Sequence, residues 1–202
     1  MSGVGLIILA AGASTRMGTP KQLLKYGQQT LIYHVVEVAI ASVCYPVIVV
    51  IGADAERIKQ EIEPLQVHTV ENPLWGEGMS TSIRVGMETL NAINPEAEAV
   101  VLMLCDQPFV FPQLINQLVE IHQTTLKLIV ASEYADIIGV PALFNRVLFS
   151  ELITLSGITG ARQIIKKYTQ EVISIPFSQG LIDLDTPKDY EQFLTKNTRI
   201  LA

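Results

Sequence analysis

Short apolar runs recur along the chain: Val4–Leu9, Pro46–Ile51, Ala99–Leu104 and Leu126–Ala131. Each is too short for a typical helix and shows little polar alternation, the pattern of strands buried on both faces. Val67–Val70 adds a further short strand. Between these runs the apolar residues return at helical spacing. The segment Thr30–Ser42 carries Leu31, Val35, Val38 and Ala39 in this way, and Ser80–Leu90 carries Ile83, Met87 and Leu90. Asp54 is a candidate cap for a helix running to Ile62, and Pro112–Gln123 reads as another helix. Thr186-Pro187 suits the start of a last one. Strand and helix in alternation predict a mostly parallel sheet with helices on both faces. One α/β domain over residues 1–196, with a tail at 197–202 that is expected to fray, accounts for the whole pattern. In such a sheet, ligands sit beyond the carboxyl ends of the strands.

The first such end is the most distinctive part of the chain. The strand breaks into Ala10-Ala11-Gly12-Ala13-Ser14, followed by Arg16, Gly18 and Lys21. Small residues let a ligand approach backbone N–H groups, and glycine permits turns that aim several of them at one anion. Arg16 and Lys21 add positive charge, so the loop is built for a polyphosphate. It is not a P-loop, because the spacing G-x-x-x-x-G-K-[ST] is absent. Nor is it a dinucleotide fingerprint, because Gly3-Val4-Gly5 precedes the strand.

The third apolar run ends in Cys105-Asp106-Gln107-Pro108. A carboxylate there is placed to hold a divalent cation facing the crevice, and Mg2+ suits one or two carboxylates plus phosphate oxygens. The alternative is that Asp106 caps the following helix or a turn. Near the C-terminus, Asp183 and Asp185 alternate on the same side of an extended segment before Thr186-Pro187. Glu71-Asn72-Pro73-Leu74-Trp75-Gly76-Glu77-Gly78-Met79-Ser80-Thr81-Ser82 reads as a glycine-hinged loop entering a helix, whose free N–H groups and hydroxyls can meet a base or sugar. Ser80 is either such a contact or the helix cap, and Trp75 either packs the loop or stacks on a ligand.

Taken together, these segments resemble the MobA-like nucleotidyltransferases. The stretch Leu9-Ala10-Ala11-Gly12-Ala13-Ser14-Thr15-Arg16-Met17-Gly18-Thr19-Pro20-Lys21-Gln22-Leu23-Leu24 is similar to the family signature, most of all to that of its molybdenum cofactor cytidylyltransferase branch. The resemblance implies a Rossmann-like, glycosyltransferase-A-like fold. It also implies transfer of a nucleoside monophosphate, CMP from CTP, to the phosphate of molybdopterin or molybdenum cofactor, with release of pyrophosphate. Ala10, Ala11, Gly12, Ala13, Arg16 and Lys21 would then bind the nucleotide, with Gly78 and Ser82 at its base or ribose. Arg16, Lys21 and Asp106 would be catalytic. Asp106 would hold Mg2+ with Asp185 as second ligand, or Asp183 in its place. CTP follows from the form Ala10-Ala11-Gly12, since guanylyl-transferring relatives usually carry Ala-Gly-Gly. A molybdoenzyme would receive the product.

The acceptor side departs from the family pattern. Gly139-Val140-Pro141 stands where relatives commonly have Gly-His-Pro, and the preceding Ser132–Asp136 is acidic. Thr159-Gly160-Ala161-Arg162 resembles the family's G-A-R helix start, so Arg162 either reaches the acceptor phosphate or makes a surface ion pair. Two other readings stand beside the first: transfer to a sugar or alditol phosphate, and a non-catalytic nucleotide- or cofactor-binding accessory protein for molybdoenzymes.

Composition narrows the classes. Hydrophobic residues make up 49% and charged residues 17% of the 202, which describes a globular chain. A net charge of −6 argues against a nucleic-acid or anionic-membrane binder, so any phosphate site is a local basic patch. No run reaches the length of a membrane span, and the N-terminus lacks the basic start of a signal peptide, so the cytoplasm is the expected location. Cys44 and Cys105 are isolated and are expected to pack as small apolar residues. His34, His68 and His122 are scattered without ligand spacing and are expected to be structural or exposed.

Overall fold

A computed structural model of the chain describes residues 3–157 and 160–196. The expected tail at 197–202 and Thr159 lie outside the described residues. The first strand, β1 (Val4–Leu9), is buried along its whole length. A small hairpin, β2 (Lys25–Tyr26) and β3 (Gln29–Thr30), leads into α1 (Leu31–Ile40), where the Thr30 hydroxyl accepts from the Tyr33 N–H at 3.4 Å. Then come β4 (Val47–Ile51), α2 (Ala55–Ile62), β5 (His68–Glu71), α3 (Met79–Ile93) and β6 (Ala99–Leu104). The second half contains α4 (Pro112–Thr125), β7 (Ile129–Tyr134), β8 (Ile137–Asn145), α5 (Phe149–Thr154), α6 (Arg162–Lys167), β9 (Val172–Pro176) and α7 (Pro187–Lys196).

Seven strands form one sheet in the order β5-β4-β1-β6-β8-β7-β9. Pairing is parallel from β5 through β6 and between β7 and β9, while β8 runs against both of its neighbours. The β7–β8 hairpin turns on Ala135 and Asp136, with φ of 45° and 63°. Two successive positive φ values are what a tight hairpin twist requires. Because the sequence supplies Ala-Asp there and not a glycine pair, β8 escapes a reading based on turn residues.

Alternation along each central strand divides the core. Leu6, Ile8, Val49, Val101 and Met103 face α1, α2, α4 and α7. Ile7, Ile48, Val50, Val100 and Leu102 face α3, α5 and α6. Helix α3 lies close against the sheet because Gly86 has no side chain: a Cβ there would come within 2.8 Å of Ile7 Cγ2. Among the described residues no helix is long and apolar enough to cross a membrane.

Three local expectations need correction. The strand expected at Leu126–Ala131 begins at Ile129, since Leu126 ends α4 in a left-handed turn with φ 57°. Asp54 precedes α2 but makes no side-chain cap; it is left-handed and pairs instead with Arg57 at 3.2 Å. Asp183 and Asp185 do not lie on a strand. They follow a short 3-10 turn in an irregular segment, anchored where the Leu184 N–H donates to the Asp106 carbonyl at 3.1 Å. The cause is tertiary: among the described residues the segment joins no strand of the sheet, and Leu184 instead buries itself in the core.

Candidate active site

The register of the central strands builds the site. Leu9 pairs with Leu104 on one side and Val50 on the other, so β1, β4 and β6 end level with one another. The chain that leaves β1 at Ala10 therefore lies beside the chain that leaves β6 at Cys105-Asp106.

Gln22 shapes the first loop. It is buried, and its side-chain amide donates to the carbonyls of Ala10 and Gly12, both at 2.8 Å. Those carbonyls are thereby turned inward. Among the described residues, nothing accepts from the N–H groups of Ala11, Gly12 or Ala13. Space over Gly12 is open, since a Cβ built there would meet nothing within 4 Å. Ser14, left-handed at φ 53°, receives the Lys21 backbone N–H on its hydroxyl at 3.0 Å. The loop thus presents free donors to the crevice while its carbonyls are satisfied from behind, as an anion cradle requires.

Lys21 crosses from this loop to the acidic residues. Its ammonium donates to Asp106 Oδ2 at 2.5 Å and to Asp185 Oδ1 at 2.9 Å, and Arg16 meets Asp185 Oδ2 at 2.8 Å. Desolvation alone would lower Lys21, but the Asp106 and Asp185 carboxylates outweigh it and raise it above the usual lysine range. Burial would raise the Asp185 carboxyl, yet Lys21 and Arg16 hold it below its ordinary value. Among the described residues Asp183 forms no ion pair, and Lys21 offsets its surroundings only in part. Desolvation, followed by the negative charges of Asp106 and Asp185, pushes it up to about 7.

A cavity of about 210 Å3 brings most of the expected residues together: Ala10, Ala11, Gly12, Lys21, Gly78, Ser82 and Asp106 line it. Trp75 also lines it and is 40% exposed. Gly78, at φ 115° and ψ 172°, occupies the N-cap position of α3, and Ser80 sits buried in the first turn, so Ser80 is not the cap. Nor does Asp106 cap α4, whose N-cap position is Phe111. Ala13 and Arg16 lie in the same loop, with Arg16 reaching the acidic pair from its outer side. Asp183 and Asp185 border the cavity and do not line it.

A second cavity of similar size shares Leu9, Met79 and Leu104 with the first. Its walls are mainly apolar, with Tyr134, Gly139, Val140 and Arg162 completing them. The Tyr134 hydroxyl donates to the Val140 carbonyl at 3.3 Å, and a Cβ at Gly139 would come within 2.6 Å of that hydroxyl. Among the described residues Arg162 forms no ion pair, so it is not spent on a surface salt bridge.

Three supporting residues had no role assigned from the sequence. Gln22 and Asn72 are polar residues whose burial only the fold reveals. Asn72 donates to the Thr81 and Ser82 hydroxyls, both at 2.9 Å, and accepts from the Leu74 N–H at 3.0 Å. Gly52 is the third: a Cβ there would fall 2.8 Å from the Ala11 carbonyl and from Trp75 Cβ. Cys44 and Cys105 are buried, and burial pushes both thiols up, Cys44 to about 11. His34 stacks on Tyr26 at 3.9 Å, and His122 bonds the Lys127 carbonyl, both away from the cavity.

The donor set suits a divalent cation that the protein only half encloses. Among the described residues no three His, Cys, Asp or Glu side chains converge to hold a metal by themselves. Asp106 Oδ1 is nevertheless buried without a hydrogen-bond partner, and Lys21 Nζ stands as a cation between Asp106 and Asp185. Two carboxylates with the remaining positions left to phosphate oxygens is the arrangement Mg2+ favours.

The model of the MobA-like NTP transferase domain matches residues 6–172. The chain belongs to this family. This MobA-like protein is accordingly a nucleotidyltransferase by family, and its sheet is the Rossmann-like sheet of solved nucleotidyltransferases. It is 31% identical to the Mycobacterium sp. strain JC1 homologue of Rv0371c, with a TM-score of 0.84 over 99% of this chain and 100% of that one. Rv0371c from Mycobacterium tuberculosis, solved in complex with manganese, is 28% identical with a TM-score of 0.77 over 95% and 98%. The molybdenum cofactor cytidylyltransferase of Escherichia coli K12 is 23% identical over 94% of this chain and 95% of its own. Two further curated relatives match only in part: the match spans 56% of nicotine blue oxidoreductase from Paenarthrobacter nicotinovorans and 25% of the bifunctional GlmU of Alkaliphilus oremlandii.

Proposed function

We propose that the protein transfers CMP from CTP to the phosphate of molybdopterin or molybdenum cofactor and releases pyrophosphate. The observation that carries this reading is the meeting, in one cavity, of Ala11 and Gly12 of the open-donor loop with Lys21, Asp106, Gly78 and Ser82. The N–H groups of Ala11, Gly12 and Ala13 hold the triphosphate, while Gly78, Ser82 and Trp75 border the sugar and base. The form Ala10-Ala11-Gly12 supports CTP, as does likeness to the cytidylyltransferase along nearly the whole of both chains. The acceptor fills the second cavity, with the flat faces of its ring against Leu102, Val140 and Ile165 and its phosphate toward Arg162.

An acceptor phosphate oxygen attacks the α-phosphorus, a new P–O bond forms, and the bond to the β-phosphate breaks as pyrophosphate leaves. Two anions must meet, so the barrier is chiefly electrostatic. Arg16 and Lys21 neutralise the charge on the departing pyrophosphate. Asp106 and Asp185 would hold Mg2+, with Asp183 beside them, and the bound ion would supply charge neutralisation to the phosphates. No side-chain nucleophile is needed. The reading places the protein in the cytoplasm, handing its product to a molybdoenzyme.

The test is pyrophosphate release with Mg2+ and CTP, GTP or ATP, with and without molybdenum cofactor. Release with CTP that depends on cofactor is the expected result. Asp106→Asn should lower it by about 100-fold or more, as loss of a group that stabilises transition-state charge does. Release with a sugar or alditol phosphate instead would move the acceptor to that class. Nucleotide binding without any release would make the protein an accessory binder.

A further inference from the structure

We propose that Lys21 is a built-in counter-ion. In the free protein it holds the place of the divalent cation, and it yields that place only when a triphosphate draws it away. Metal and nucleotide therefore bind as a coupled pair. The proposal rests on the nucleotide reading above for its second half and on this chain's own side chains for its first.

The geometry is that of a cation site already filled. Asp106 and Asp185 come from segments far apart in the chain, and both carboxylates converge on one ammonium at 2.5 and 2.9 Å. The contact is sheltered, with the Lys21 side chain 17% exposed and that of Asp106 14%. A magnesium ion would need oxygens of the same two carboxylates at about 2.0–2.1 Å. The oxygen lone pairs directed at Nζ cannot serve both cations, and a dication beside an ammonium is repelled at such range. Asp106 Oδ1 stays buried and unpartnered, so Lys21 satisfies only half of that carboxylate.

Lys21 can leave without disturbing the fold. Its backbone N–H is pinned by the Ser14 hydroxyl, and its side chain lines the cavity assigned to the triphosphate. The flexible stem of a lysine can carry the ammonium from carboxylate to phosphate by rotation about side-chain bonds alone. Arg16 supplies the contrast. It is 71% exposed and touches only the outer oxygen of Asp185, so it carries the same charge without occupying the shared place.

The experiment measures Mn2+ binding to the full chain, read from the electron paramagnetic resonance signal of the free ion. Wild type, Lys21→Met and Arg16→Met are compared without nucleotide and again with a non-hydrolysable CTP analogue. Without nucleotide, Lys21→Met should bind Mn2+ about tenfold more tightly than wild type, and Arg16→Met should stay within about threefold. Adding Asp106→Asn to Lys21→Met should abolish the gain. After subtraction of the Mn2+ that the analogue holds in a protein-free control, the analogue should tighten Mn2+ in both proteins through its phosphate oxygens, but about tenfold more in wild type than in Lys21→Met, because one event cannot remove the same obstacle twice. Equal or weaker binding by Lys21→Met, an equal gain in Arg16→Met, or a gain that survives Asp106→Asn would each overturn the proposal. Lys21→Gln replaces the methionine variant if that one fails to fold. If wild type ignores every nucleotide analogue while Lys21→Met still gains tenfold, the counter-ion stands and the nucleotide reading falls.

Discussion

Among the described residues Asp183 differs from its two acidic neighbours in making no direct ion pair, and that difference is measurable. Its carboxyl is pushed up to about 7 from an ordinary 3.8, by desolvation and then by the charges of Asp106 and Asp185. An acid whose folded pKa is raised binds its proton more tightly in the folded state. Its contribution favours folding at pH below the unfolded value and is lost as pH climbs from about 4 through about 7. Asp185 has the opposite sign. Lys21 and Arg16 hold it low, so its contribution is present above 3.8 and disappears as pH falls further. In metal-free buffer, Asp183→Asn should therefore gain in melting temperature relative to wild type between about pH 4 and pH 7, with a constant difference above that window. A difference that is flat across the whole range would mean that Asp183 does not feel its neighbours.

At the scale of elements, the segment from β5 into α3 is held by one buried amide. Asn72 ties the loop to the first turn of α3 through Thr81 and Ser82 and fixes Leu74 with its carbonyl oxygen. Asn72→Ala removes these bonds and should destabilise the protein by about 1–3 kcal/mol in chemical denaturation, the range for stranding buried polar partners. It should also raise KM for the nucleotide while leaving that for the acceptor nearly unchanged, because Ser82, Gly78 and Trp75 line only the first cavity. Trp75 is the one tryptophan in the sequence, so its fluorescence should change when nucleotide binds and report the same loss of affinity in the variant. Equal effects on both substrates would show that Asn72 supports the fold generally and not the nucleotide loop.

Across the whole molecule, one sheet separates two cores. Leu118 is fully buried on one face and Leu90 on the other. Replacing either with alanine should cost about 2–5 kcal/mol. Because every central strand contributes side chains to both faces, the two cores should unfold together. Trp75 fluorescence and far-ultraviolet circular dichroism should then give coincident transitions in both variants. Separate transitions would mean that the strands beyond β6 form an independent folding unit.

Local pattern determined a good deal of this protein. The strands Val4–Leu9 and Ala99–Leu104 are observed at the residues their apolar runs predict, because a strand buried on both faces leaves an uninterrupted signature. The small-residue loop, its two cations and the carboxylate after the third run could be read for the same reason: each owes its character to adjacent residues. What no adjacent residues record was decided by the tertiary structure. Strand β8 joins the sheet through a turn that contains no glycine, and Asp183-Leu184-Asp185 takes its course from the Asp106 carbonyl and from the burial of Leu184. The burial of Gln22 and Asn72, and the close approach that requires glycine at position 52, arise only when separate segments pack together. The contact of Lys21 with Asp106 and Asp185 spans 85 and 164 residues of chain. Sequence periodicity reports which face of an element is apolar; only the packed sheet decides which strand ends stand level and which charges therefore meet.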